Sequence, residues 1–158
     1  MTSADKESSS SFELGTDGPS VILVGVDDTT TSIRAGWYAA GLARRQRARI
    51  VAVFVAPLAG FAAAGPGGAA VTVAKDEAFR TSVQDMEQRA QVMEIELGIS
   101  ITFRAARGDP FTEICRVADE VRADAIVVGA SKHAGHRFVG SLAVRLVRAG
   151  KWPVTVVP

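Results

Sequence analysis

The densest group of residues able to do chemistry is the segment Gly129-Ala130-Ser131-Lys132-His133-Ala134-Gly135-His136-Arg137-Phe138-Val139-Gly140-Ser141. Its glycines allow a ligand close to the backbone, and a helix opening at Ser141 offers unpaired N–H groups and a hydroxyl. Lys132, His133, His136 and Arg137 add positive charge. Those are the ingredients of a phosphate cradle. Neither G-x-x-x-x-G-K-[ST] nor G-x-G-x-x-G occurs, so an ordinary strand-to-helix connection remains an equal reading. A second cluster is Asp27-Asp28-Thr29-Thr30-Thr31-Ser32. Two adjacent carboxylates suit acid/base work, but the Asp/Thr/Ser run before a helix is expected to cap it.

Other chemistry finds less support. His133 and His136 have no Cys, Asp or Glu near them in sequence, so they read as surface histidines rather than metal ligands. A Ser-His-Asp hydrolase lacks its G-x-S-x-G elbow. Cys115 is the single cysteine, set inside a helical pattern, and reads as a core residue. Trp37 and Trp152 read as packing residues.

The elements that hold these groups alternate in type. Val21 to Val26, Ile50 to Ala56 and Ala125 to Gly129 are nearly continuous apolar runs, as in strands buried on both faces of a parallel sheet. Ile99 to Ala105 alternates apolar with polar residues, which suits a strand near the sheet edge. Val154 to Val157 makes a last strand. Between them lie helical patterns: residues 32–47 with Ile33, Trp37 and Ala40 facing inward, and residues 75–97 with Phe79, Val83, Met86, Ala90, Met93 and Leu97 in a seam. Gly98 is the expected C-cap of the second. Asp109-Pro110 predicts a third helix start, and Ser141 to Ala149 forms a fourth. Residues 57–73, rich in Ala and Gly, read as a loop. The pattern predicts a three-layer α/β sandwich with a mostly parallel sheet. Ligands of such sheets bind beyond the carboxyl ends of the strands where strand order reverses.

Composition narrows the function. A chain of 158 residues fits one domain, and 18 Lys plus Arg against 17 Asp plus Glu excludes a strongly basic nucleic-acid clamp. No apolar run reaches the length of a membrane span, and the start MTSADKESSS lacks a signal-peptide core, so a cytoplasmic protein without membrane or nucleic-acid partners is expected. Residues 1–19 read as a disordered tail and 20–158 as the domain. Charge is segregated along the chain: residues 125–158 hold five Lys/Arg and no Asp/Glu. That split can mark an anion site or a solvated helix face.

The run from VILVGVDDTTTS through GDPFTEICRVADEVRADAIVVGAS to GSLAVRLVRAGKWPVTVVP resembles the universal stress protein family over residues 20–158. The resemblance implies an adenine nucleotide α-hydrolase-like sandwich with strand order 3-2-1-4-5. It also implies a homodimer paired through the last strand, at Val154 and Val156. One branch of that family binds ATP through an Asp ending the first strand and G-x2-G-x9-G-[ST] after the fourth. Asp27 matches that Asp, Val55 a residue of the adenine pocket, Gly129 the first glycine, and Gly140-Ser141 the closing pair. Lys132 replaces the middle glycine, seven residues rather than nine separate it from Gly140, and Asp28 stands where Gly is common. Two functions follow as expectations: a dimeric stress-response module binding ATP, with Mg, or another adenine nucleotide, or a nucleotide-free interaction module with a degenerate loop. A dedicated enzyme is not expected, and weak ATP hydrolysis is the most the residues would support.

Overall fold

The computed structural model describes residues 18–58, 68–130 and 141–158, the side chains of 68–71 and 141 apart. Nine elements alternate: β1 (Val21–Val26), α1 (Thr30–Gln46), β2 (Arg49–Ala56), α2 (Gly68–Leu97), β3 (Ile101–Arg107), α3 (Pro110–Val121), β4 (Ala125–Gly129), α4 (Ser141–Ala149) and β5 (Val154–Val157). The strands form one sheet in the order β3-β2-β1-β4-β5, and all four pairings are parallel. Strand order reverses beside β1, between β2 and β4. The expected topology is therefore present, with β3 and β5 at the edges.

Alternation of side chains along the strands divides the core. Leu23, Val51, Val53, Ile126 and Val128 face α3 and α4, meeting Ile114, Val117 and Leu146. Ile22, Val24, Ile50 and Val127 face α1 and α2. All are nearly or wholly buried. At about 25 cal/mol per Å² of apolar surface, these two layers supply the main drive to fold.

The inward face of α1 differs from the expected stripe. Ala35, Ala39, Ala40 and Ala43 lie against the sheet, whereas Ile33 and Trp37 are 46% and 52% exposed. Four methyl-sized side chains let the helix axis approach the strands closely, and that approach turns the larger residues outward. The start of α2 also differs: it opens at Gly68, inside the stretch read as loop. Its seam does hold, since Met86 is buried and Met93 and Leu97 pack on the β1/β2 face. Phe79 stacks on Phe54 at 5.9 Å, and Asp76 pairs with Arg107 at 2.6 Å, tying α2 to the β3 edge.

Helix ends follow local rules. Gly98 adopts φ +62°, the left-handed conformation a C-cap needs. Asp109 caps α3 by accepting from Thr112 N at 3.0 Å, with Pro110 in the first turn. Cys115, half-buried, packs against the α3/α4 core, and burial pushes its thiol pKa up, away from thiolate reactivity.

Candidate functional site at the carboxyl end of the sheet

Asp27 directly follows β1 and is exposed, so it stands at the carboxyl edge where strand order reverses. Its Oδ1 accepts from Thr29 N at 2.8 Å and from Thr29 Oγ1 at 2.5 Å. The residue capping α1 is Thr29, which accepts from Ser32 N at 3.2 Å. Asp27 is therefore one step removed from the expected cap: it orients the residue that does the capping. Its own N–H donates to Ser32 Oγ at 2.7 Å. Thr29 thus fixes one carboxylate oxygen, Oδ1, while Ser32 anchors the Asp27 backbone.

Gly129 ends β4 next to this turn. A Cβ there would lie 2.6 Å from Ser32 N and from Thr31 C, and 2.8 Å from Thr31 O. These are backbone atoms that no rotamer change can move. Thr31 Oγ1 donates to Ala130 O at 2.7 Å, binding the first turn of α1 to the end of β4. Thr31 and Ser32 are 2% and 4% exposed, so this polar seam is buried and internally satisfied. The first glycine of the loop is thus required by helix-on-strand packing.

Val55 is the penultimate residue of β2, one past the Val26–Phe54 pair, on the sheet face that meets α3 and α4. The backbone of Ser141 opens α4. Gly140 lies outside the described residues, as do Lys132, His133, His136 and Arg137. The structure therefore unites Asp27, Thr29, Ser32 and Gly129 in one cluster, with Val55 at the adjoining strand end. Thr31 and its bond to Ala130 had no distinct signal in the sequence, because the partners are 99 positions apart.

The basic C-terminal segment, residues 125–158, is partly neutralised. Arg145 makes two bonds to Asp109, at 2.8 and 3.0 Å, and Lys151 reaches Asp119 at 3.2 Å. The Arg145 guanidinium, with help from Thr112, holds the Asp109 carboxyl far below the usual carboxylate range. These cations are paired with the N-cap of α3 and with Asp119 within it. Among the described residues, no group of three His, Cys, Asp or Glu is placed to hold a metal ion, and no helix is long and apolar enough to cross a membrane.

A parallel sheet in this order, covered by helices on both faces, is the adenine nucleotide α-hydrolase-like fold. The family model described as the universal stress protein family matches residues 20–158, and the chain belongs to that family. Universal stress protein MJ0531 of Methanocaldococcus jannaschii is 28% identical over 141 residues, spanning 86% of this chain and 80% of that protein. Among solved structures, the universal stress protein UspA from Lactobacillus plantarum superposes with a TM-score of 0.75 at 26% identity, over 88% of this chain and 97% of that one. A universal stress protein solved in complex with cAMP shares the fold with a TM-score of 0.67 at 24% identity, over 89% and 97% of the two chains. One from Archaeoglobus fulgidus solved in complex with dAMP does so with a TM-score of 0.55 at 20% identity, over 87% and 96%.

Proposed function

We propose that this protein is a dimeric stress-response module that binds an adenine nucleotide at the carboxyl end of the sheet. The observation that carries the reading is the Asp27 carboxylate, exposed at the switch point and pre-oriented by two bonds from Thr29. A fixed acceptor of this kind suits ribose hydroxyls or an adenine amino group, and its ordering cost is already met by the fold. Val55 would line the base. The phosphates would lie toward the start of α4, where first-turn N–H groups and Ser141 attract anions, with Gly129 and Gly140 bounding the loop between. ATP with Mg is the fullest form of such a ligand, and relatives described with cAMP and dAMP widen the class to adenine nucleotides generally. Binding rather than turnover is the proposed role.

Calorimetry with Mg-ATP, AMP and cAMP tests the site. Wild type should bind at least one of them saturably below millimolar, and Asp27→Ala should weaken that binding at least tenfold. Absence of heat for wild type at millimolar nucleotide refutes the reading. One observation favours the nucleotide-free alternative: Gly129 has a sufficient structural reason in its contact with α1. That alternative predicts the null titration.

The dimer would form by pairing of β5 edges. Ile126 N donates to Pro153 O and Ala130 N to Val157 O. In a parallel ladder bonding alternates, so Val154 and Val156 turn their N–H and C=O away from β4. Val156→Pro removes one outward donor and leaves the β4 ladder intact. Sedimentation should show a wild-type dimer and a monomeric variant; an unchanged dimer excludes this pairing.

A further inference from the structure

A well-formed hollow runs back from the Asp27 end of β1 along the α1/α2 face of the sheet. It is a trough of about 620 Å³ between α1 and α2. Its floor is a single row across three strands: Val24 pairs with Ala52, and Ala52 with Phe103. Small residues make the space. Gly36 on α1, Ala52 below and Ala90 on α2 all line it, and a Cβ at Gly36 would meet nothing within 4 Å. Trp37 and Ile33 form the α1 wall, half-exposed, while Met86 and Met93 form the α2 wall. A helix pair on a sheet that needed only stability would close this gap with larger side chains.

Volume and lining match a small-molecule site: several hundred Å³, mainly apolar, with a few polar groups at the rim. The charged rim residues are Asp27, Asp85 and Glu96 against Arg89. Among the described lining residues, two negative charges are thus unbalanced around an apolar bed. We propose that the trough binds a small amphiphilic cation, an apolar body carrying an amine or ammonium head. The apolar body covers Val24, Ala52 and Phe103, and Trp37 flanks it. The head stays at the rim, solvated and near carboxylates, because a buried unpaired charge would lose its hydration uncompensated. The trough shares Asp27 and Ser32 with the carboxyl-edge cluster, but Val55, Gly129 and Ser141 are not part of it, and its apolar bed lies beyond them between α1 and α2.

The test uses decylammonium, decanol and decanoate, each below its micelle concentration. Binding is read by Trp37 fluorescence in a Trp152→Phe background and by amide shifts of the full-length protein. Decylammonium should bind saturably, shift the amides of Val24, Ala52 and Met86, and bind at least fivefold tighter than decanoate. Gly36→Leu fills the trough and should weaken binding at least tenfold. Ala90→Leu, which fills it from the other helix, should do the same. Asp85→Asn combined with Glu96→Gln should narrow the preference for the amine over the alcohol by about two- to fivefold, the range for exposed charge pairs. Absence of saturable binding, equal or tighter decanoate binding, or binding unchanged in both filled variants overturns the proposal.

Discussion

Gly129→Ala is the substitution that most directly tests the account of the carboxyl-edge cluster. The added methyl carbon would start 2.6 Å from two backbone atoms of α1, where an ordinary contact needs at least about 3.4 Å. Relief requires moving the first turn of α1 by nearly 1 Å. That movement lengthens the 2.7 Å bond from Thr31 Oγ1 to Ala130 O, a buried bond. Overpacking of this kind costs about 1–3 kcal/mol, and the strained hydrogen bond adds roughly 0.5–1.5 kcal/mol. Against this, replacing glycine restricts the unfolded chain and returns about 0.4–1 kcal/mol. The expected net loss is about 1–3 kcal/mol. Urea unfolding should then show the midpoint lowered by about 1 M at unchanged slope. Calorimetry should show a Tm lower by a few degrees for each kcal/mol lost. A variant within about 0.5 kcal/mol of wild type refutes the packing argument. If that stable variant had also lost nucleotide binding, the glycine would serve ligand approach instead.

Gly36→Ala, within α1 itself, provides the opposite sign: its methyl enters open space, and the gain in helix propensity should raise stability by up to about 1 kcal/mol, read by urea unfolding. Leu146→Ala should cost about 2–5 kcal/mol by chemical denaturation, because Leu146 is wholly buried and anchors α4 on the sheet. Asp109 has a folded pKa depressed below its unfolded value, so its stabilising contribution is present above about pH 4 and is lost as pH falls toward the folded pKa. Carboxyl titration by NMR should therefore give Asp109 a midpoint well below that of free aspartate, and Arg145→Met should move it up. Asp109→Asn, which keeps the cap, should flatten the acid limb of the stability curve.

Much of the architecture was legible along the chain because its signals are local. Continuous apolar runs at β1, β2 and β4 marked strands covered on both faces, and alternation in β3 marked an edge. Asp109-Pro110 and Gly98 marked helix ends through residue-specific backbone preferences. The Asp/Thr/Ser run marked the start of α1, although the role of Asp27 through Thr29 rather than as the cap itself depends on the fold of the turn. Periodicity misjudged α1 because it reports which residues share a face, not which face is pressed to the sheet. Ile33, Trp37 and Ala40 fit a stripe, yet the alanines offered the closer approach.

What the sequence determined by itself is the succession of strands and helices, their caps, and a family resemblance strong enough to imply the strand order. Only the tertiary structure decided which neighbours those elements acquire. It spent Gly129 on α1, opened a trough where Gly36, Ala52 and Ala90 face one another, and returned Arg145 and Lys151 to acidic residues of α3 more than thirty positions earlier. The segregation of charge along the chain is thereby partly cancelled in space. The physical reason is range: capping and backbone preference act within a turn or two. Close packing and ion pairing act between surfaces that only folding brings within a few ångströms.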